Sequence, residues 1–231
     1  MILVLSNLAN EAANELVGMF PAGAASLVTA SDCHQSFKAA ISVGDFSPSE
    51  ITIGGARTTA GAISGVVSTI PYFLTQEFYY IDPADREYVC VELSAFFIYF
   101  LSELRCRKLN PPSARRLSGL GMHRIEWLKA ARGCGVPVWP LQMKNGTPSP
   151  AGDTQELRQI WSTVIGGAVV EDDTPGRVGG YMRVLSQMFA MPYLSCFFVS
   201  RDGSDYFLAD LSFVPDVATP RNREAIVRHL S

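Results

Sequence analysis

A chain of 231 residues that is 48% hydrophobic has enough apolar mass for a large core, as one broad α/β domain or as two lobes of about 100 residues. Its net charge of −3 comes from 19 basic and 22 acidic residues that read as spread along the chain, which argues against nucleic acid as a partner. The longest uninterrupted apolar run, Phe96 to Leu101, falls far short of the roughly 20 residues that span a bilayer, so no membrane partner is expected.

The chain opens with Met1-Ile-Leu-Val-Leu-Ser6, which lacks a basic n-region and a small-residue cleavage site. It reads as a first strand, and a cytoplasmic location is the expectation. Asn10 to Phe20 reads as a helix closed by Pro21, and Ala25 to Thr29 as a second strand. Lys38 to Val43 and Glu50 to Ile53 precede the turn Gly54-Gly55, and Ile63 to Ile70 adds a further β-branched run. Alternating strands and helices over residues 1 to 75 predict a small α/β lobe.

A long helix is predicted from Asp82-Pro83, a cap followed by proline at the first helical position, to about Leu104. Its nearly continuous apolar face (Tyr88, Val91, Ala95, Phe96, Ile98, Tyr99) predicts burial between other elements. Two prolines in Lys108-Leu-Asn-Pro-Pro-Ser-Ala114 forbid continuation. A second helix is predicted from about Met122 to Arg132, ending in Gly133-Cys-Gly135 with a left-handed cap. Val136-Pro-Val-Trp-Pro140 then reads as a short edge strand, and residues 144 to 153 as a linker.

The last third predicts strands at Ile160 to Ile165 and Ala168 to Val170 around a Gly166-Gly167 turn, then a helix from about Arg177 to Met188. Cys196 to Asp216 reads as a β-hairpin turning at Arg201-Asp-Gly-Ser204, because glycine takes the φ > 0 that tight turns need. Alternation puts Asp210 and Ser212 on one face with Tyr206 and Leu208. An acid on an otherwise apolar strand is either a solvated edge position or a ligand site. The tail, Pro220 to Ser231, reads as a short surface helix.

Five cysteines (Cys33, Cys90, Cys106, Cys134, Cys196) lie at least 16 residues apart without a Cys-x-x-Cys pair, so buried free thiols are expected. With only His34, His123 and His229, no histidine metal cage is expected. Cys33 and His34 are adjacent and, if extended, point to opposite faces. Gly119-Leu-Gly121 lacks the third glycine of a dinucleotide turn, and no Walker sequence occurs.

Four segments taken together resemble the ATP-grasp superfamily, in particular the carboxylate-amine ligases that append amino acids or close rings on ribosomally made peptides. Ser68-Thr-Ile-Pro71 resembles the exit from the last strand of that family's pre-grasp lobe, and Leu109-Asn-Pro-Pro-Ser113 resembles its Asn-x-Pro turn. Ile125-Glu-Trp-Leu-Lys-Ala-Ala131 through Gly135-Val-Pro137 resembles the helix and strand that open the grasp fold. Asp202-Gly-Ser-Asp-Tyr-Phe-Leu-Ala-Asp210-Leu-Ser212-Phe-Val-Pro215 resembles the hairpin whose terminal acid and amide bind magnesium.

The resemblance implies a pre-ATP-grasp-like α/β lobe over residues 1–107 followed by a truncated ATP-grasp-like α+β lobe over 108–231. It also implies ATP held by two lysines and acidic ligands, and activation of a carboxylate as an acyl phosphate. The candidate nucleotide residues are then His123, near the position of the first lysine, and Lys129; the candidate metal ligands are Asp210 and Ser212. The chain departs from that pattern. Ser212 stands where the family has an amide, Tyr193-Leu-Ser-Cys-Phe-Phe198 supplies no carboxylate, and only Lys38, Lys108, Lys129 and Lys144 exist. About 20 residues between Pro140 and Ile160 leave no room for a lid of several strands.

Three functional readings stand. A degenerate ATP-grasp-like protein would bind or scaffold in peptide or natural-product tailoring, without a cofactor, with another protein or a peptide as partner, a peptide strand adding to an open sheet edge or two copies pairing through the first lobe. A compact ligase completed by a partner chain would use ATP and Mg2+, with Asp210 joined by Asp202 or Asp216. An unrelated small-molecule protein on a similar frame is the third.

Overall fold

The computed structural model describes residues 1–7, 10–42, 44–144, 147–150, 157–171 and 173–231. The chain divides into two compact units, Met1–Leu120 with Val214–Ser231, and Gly121–Phe213.

The first unit is built on a parallel sheet of order β2-β1-β6-β7, from β1 (Ile2–Ser6), β2 (Ala25–Thr29), β6 (Gly65–Ser68) and β7 (Arg107–Lys108). Every residue of β1 is buried, as a continuous apolar strand covered on both faces requires. Helix α1 (Glu11–Gly18) is capped by Asn10, whose side chain accepts from the Ala13 N–H. Helix α2 (Ala30–Gln35) follows β2 directly, with Thr29 and Asp32 forming a reciprocal capping box. Cys33 and His34 therefore sit on a helix and not in an extended segment, Cys33 buried and His34 beside the Tyr80 ring at 5.7 Å.

An antiparallel sheet β3-β4-β5 joins Lys38–Ala40, Glu50–Ile53 and Ala56–Thr59. Its β4–β5 connection is Gly54-Gly55, with φ of +55° and +83°, the double left-handed turn that only glycine adopts cheaply. Gly65 on β6 matters for a different reason. A Cβ there would stand 2.6 Å from Ile2 Cδ1 and 3.6 Å from the Arg107 carbonyl. Gly65→Val is expected to lower stability by about 2 kcal/mol, read as a lower urea midpoint with unchanged slope.

Helix α3 spans Arg86–Glu103 and corrects two expectations. It starts four residues beyond Asp82, whose carboxylate instead accepts the Ala84 N–H at 2.9 Å and closes a turn. Its apolar residues also do not all face inward. Cys90, Phe97, Phe100 and Leu101 are buried, whereas Tyr88, Val91 and Tyr99 are 67%, 60% and 49% exposed. A helix that is apolar all round carries no stripe from which the inward face can be read. The buried side meets Phe37, Phe46, Phe73 and Phe78 in one aromatic core. Helix α6 (Pro220–Leu230) belongs to this unit and buries Asn222, Ile226 and Leu230, so it is a packed element rather than a surface appendage.

The second unit begins with α4 (Arg124–Gly133), ended by Gly135 at φ +83°. A hairpin β8 (Leu141–Lys144) and β9 (Thr147–Pro150) occupies part of the segment expected to be a linker; residues 145–146 and 151–153 lie outside the described residues. Prolines at 148 and 150 are tolerated on a two-stranded ribbon because each strand has an unpaired side. The main sheet is antiparallel, of order β11-β10-β12-β13, from β10 (Arg158–Ile165), β11 (Ala168–Val169), β12 (Tyr193–Ser200) and β13 (Phe207–Ser212). Helix α5 (Gly176–Phe189) covers one face, with Tyr181 stacked on Phe198 at 6.3 Å.

Segment 136–140, expected as a short edge strand, makes a single parallel bridge, Val138 to Leu208, on the outer edge of β13. The Trp139 N–H donates to the Leu208 carbonyl and the Leu208 N–H to the Pro137 carbonyl, each at 2.8 Å. The β12–β13 hairpin turns at Gly203, φ +78°. Among the described residues no helix is long and apolar enough to cross a membrane. Cys33, Cys90 and Cys196 are buried free thiols, and Cys106 and Cys134 are half-buried.

Candidate functional site

The candidate metal residues stand on the β12–β13 ladder, and a register shift there changes their setting. Phe198 pairs with Leu208 but Phe197 pairs with Asp210, so Ala209 is an extra residue on β13. Leu208 and Ala209 are both buried while Asp210 is exposed. Simple alternation, which put Asp210 on the Leu208 face, fails at this bulge.

Across the sheet the Asp210 row reads Trp161, Phe197, Asp210, and the next row on that face reads Thr163, Ser195, Ser212. The Trp161 and Phe197 rings lie 4.9 Å apart at 32°, and Trp161 is 57% exposed. Asp210 accepts the N–H of Leu211 at 2.9 Å. Its direct neighbour across the ladder is thus an aromatic pair, where a magnesium site uses oxygen ligands. Among the described residues no three His, Cys, Asp or Glu side chains gather as metal ligands.

The two other acids considered for magnesium are engaged locally. Asp202 accepts the N–H groups of Ser204 at 2.9 Å and Asp205 at 3.3 Å inside the hairpin turn. Those bonds, led by the Ser204 N–H, hold its carboxyl far below the usual carboxylate range. A depressed value stabilises the fold above the free carboxylate pKa, about 4, and that stabilisation disappears as pH falls through the folded value. Asp202→Asn is therefore expected to melt below the parent at pH 7, with the gap narrowing as the pH is lowered past 3, in paired thermal melts. Asp216 accepts the Ala218 N–H at 2.8 Å and the Thr219 hydroxyl at 3.0 Å, ahead of α6.

His123 is exposed at the N-cap of α4, its backbone N–H donating to Glu126 Oε2 at 2.7 Å. Lys129 is exposed six residues further along the same helix. At about 100° per residue that separation puts the two on different faces, so they do not converge.

Lys129 instead lines a cleft of about 700 Å3 between α4 and segment 136–141. Ile125, Leu128, Lys129 and Arg132 form its helical wall, following the i, i+3, i+4, i+7 spacing of one face, and Trp139 and Phe207 form its floor. The opposite face of α4 buries Trp127 and Ala131, and Arg124 is tied to the Ala209 carbonyl, which fixes the helix beside β13. Trp139 is buried with Val199 and Ala209, edge-on to Phe207 at 5.7 Å, and the Arg201 guanidinium lies 5.6 Å from its ring centroid. A smaller hollow that shares Trp139, Pro140 and Phe207 with the cleft is lined by Arg201, Asp202 and Asp205, and Asp205 pairs with Arg177 at 2.7 Å.

Sequence reasoning found Lys129 but not the cleft. The missed signal is the spacing of Ile125, Leu128, Lys129 and Arg132, which puts two apolar and two basic side chains on one face of the predicted helix.

No protein-family model matches the sequence, and no curated protein matches it. Solved structures do. The macrocyclase MdnC of Microcystis aeruginosa, bound with its precursor peptide MdnA, superposes with a TM-score of 0.76 over 99% of this chain and 98% of that one, at 13% identity. The ATP-grasp ligase PsnB, complexed with a phosphomimetic variant of its minimal precursor, Mg and ADP, gives 0.71 over 100% and 97%, at 8% identity. A Chryseobacterium gregarium RiPP-associated ATP-grasp ligase, in complex with ADP and a leader and core peptide, gives 0.66 over 97% and 93%, at 10% identity. The expected frame is therefore present: this chain has the fold of the ATP-grasp ligases.

Proposed function

We propose that the protein is a binding or scaffolding subunit in peptide tailoring, built on an ATP-grasp frame that no longer carries nucleotide chemistry. The observation that carries this reading is the Trp161–Phe197 pair beside Asp210. Phosphoryl transfer depends on fixed cations and metal-holding oxygens aimed at the phosphates. Here the acid at the end of the hairpin has aromatic carbon as its cross-strand neighbour, and His123 and Lys129 face apart. The peptide part rests on the structural neighbours, which are described with precursor peptides bound.

The second reading, an ATP- and Mg2+-dependent carboxylate-amine ligase completed by a partner chain, draws on one retained feature, Asp210 at the hairpin end. Turnover separates the two. Incubation with MgATP and a mixture of acidic and basic peptides is expected to release no phosphate above the protein-free control. Sustained release that is abolished in Asp210→Ala overturns the proposal.

A further inference from the structure

We infer that the cleft along α4 is a peptide site selective for an extended segment that alternates apolar and acidic residues; this rests on the peptide-binding reading above. The first support is charge. Both charged side chains lining the cleft, Lys129 and Arg132, are cationic and exposed, and neither has an ion-pair partner among the described residues. Glu126, one turn before Lys129 on α4, accepts the His123 N–H at 2.7 Å, and the acids beside Trp139 are likewise engaged, Asp202 by backbone N–H groups and Asp205 by Arg177. A ligand entering here meets two cations and no acid among the lining side chains, above an apolar floor, so carboxylates beside apolar side chains complement it.

The second support is the backbone edge. In the parallel bridge to Leu208, segment 136–140 uses the Pro137 carbonyl and the Trp139 N–H. The N–H and C=O of Val138 must then face away from β13, at the open edge, and Val138 lines the cleft. On that edge Pro140 has no N–H and the Val136 N–H donates to the Ala131 carbonyl at 3.0 Å, so the edge offers one anchoring pair and resists indefinite strand addition. An extended peptide takes that pair and directs alternate side chains to the same side, about 7 Å apart. Lys129 and Arg132, about 4.5 Å apart along the helix axis, reach successive carboxylates of such a chain. A nucleotide fits less well. Its phosphates favour the backbone donors of a helix N-terminus, whereas the cleft runs along the flank of α4.

The test is calorimetric titration of the full chain with two capped hexapeptides, one alternating leucine and glutamate, the other leucine and lysine. The glutamate peptide is expected to bind saturably and at least about tenfold more tightly, since two exposed ion pairs together supply about that factor. In Lys129→Glu/Arg132→Glu the preference should invert, with an unchanged melting temperature because both side chains are exposed. Equal affinity for the two peptides, no binding of either, an unchanged preference in the double variant, or displacement of the glutamate peptide by ATP each overturn the inference. Failure here without MgATP turnover leaves the nucleotide-free reading standing, whereas turnover with the peptide result intact removes that reading alone.

Discussion

Phe97→Ala is expected to destabilise the protein by about 4 kcal/mol, the usual range for deleting a fully buried ring. Phe97 is 0% exposed and sits between the Phe37 ring at 5.0 Å, Phe96 at 5.3 Å and Phe73 at 5.6 Å. Phe37 and Phe73 come from segments far from α3 in sequence and Phe96 is its neighbour on the same helix, so no single neighbour can shift to refill the space. The cavity term therefore adds nearly in full to the lost transfer energy. For a chain of this size the loss corresponds to a melting temperature lower by about 12 °C. Phe97→Leu, which keeps most of the volume, should recover more than half of it. A drop below about 3 °C in Phe97→Ala would mean that the first unit does not share one aromatic core.

Trp139→Ala is expected to cost about 3 kcal/mol and to abolish peptide binding together. The indole is buried against Val199 and Ala209, carries the Phe207 edge, and lies under the Arg201 guanidinium. Its removal empties the floor of the cleft and loosens the edge segment whose backbone pairs with Leu208. Trp139→Phe should keep most of the stability while weakening binding, because the smaller ring still fills the gap but presents less surface. Urea unfolding followed by circular dichroism reads the first effect, and the hexapeptide titration reads the second. A stable Trp139→Ala protein that still binds the glutamate peptide would detach the cleft from function.

Much of the frame was legible because its signals are local. Ala25 to Thr29 and Glu50 to Ile53 were read with the bounds the structure gives, since β-branched runs end at a capping Thr29 and at Gly54-Gly55. The Gly203 hairpin was legible for the same reason, a glycine between two short apolar runs. Helix α2 escaped notice because six residues carry no periodicity; its signal was the Thr29/Asp32 capping box. Strand β7 escaped because two residues acquire strand character only by pairing with β6.

The site was harder. The bulge at Ala209 is a property of two paired strands, and it alone decides that Asp210 shares a row with Phe197 and Trp161 rather than a face with Leu208. No pattern within β13 announces it. Asparagine followed by glycine at 145–146, between runs now seen as β8 and β9, was a hairpin dipeptide inside a segment whose prolines argued for a linker. The exposure of Tyr88, Val91 and Tyr99 was hidden because α3 also has apolar residues on its buried side.

Whether MgATP binds at all decides between the two functional readings, and thermal melting of the protein in millimolar MgATP asks this directly. A ligand at 100 times its dissociation constant adds about 2.7 kcal/mol, a shift of roughly 5 to 10 °C here. The aromatic pair beside Asp210 predicts an unchanged melting temperature in the parent and in Asp210→Ala alike. A shift of several degrees in the parent that vanishes in Asp210→Ala would contradict it.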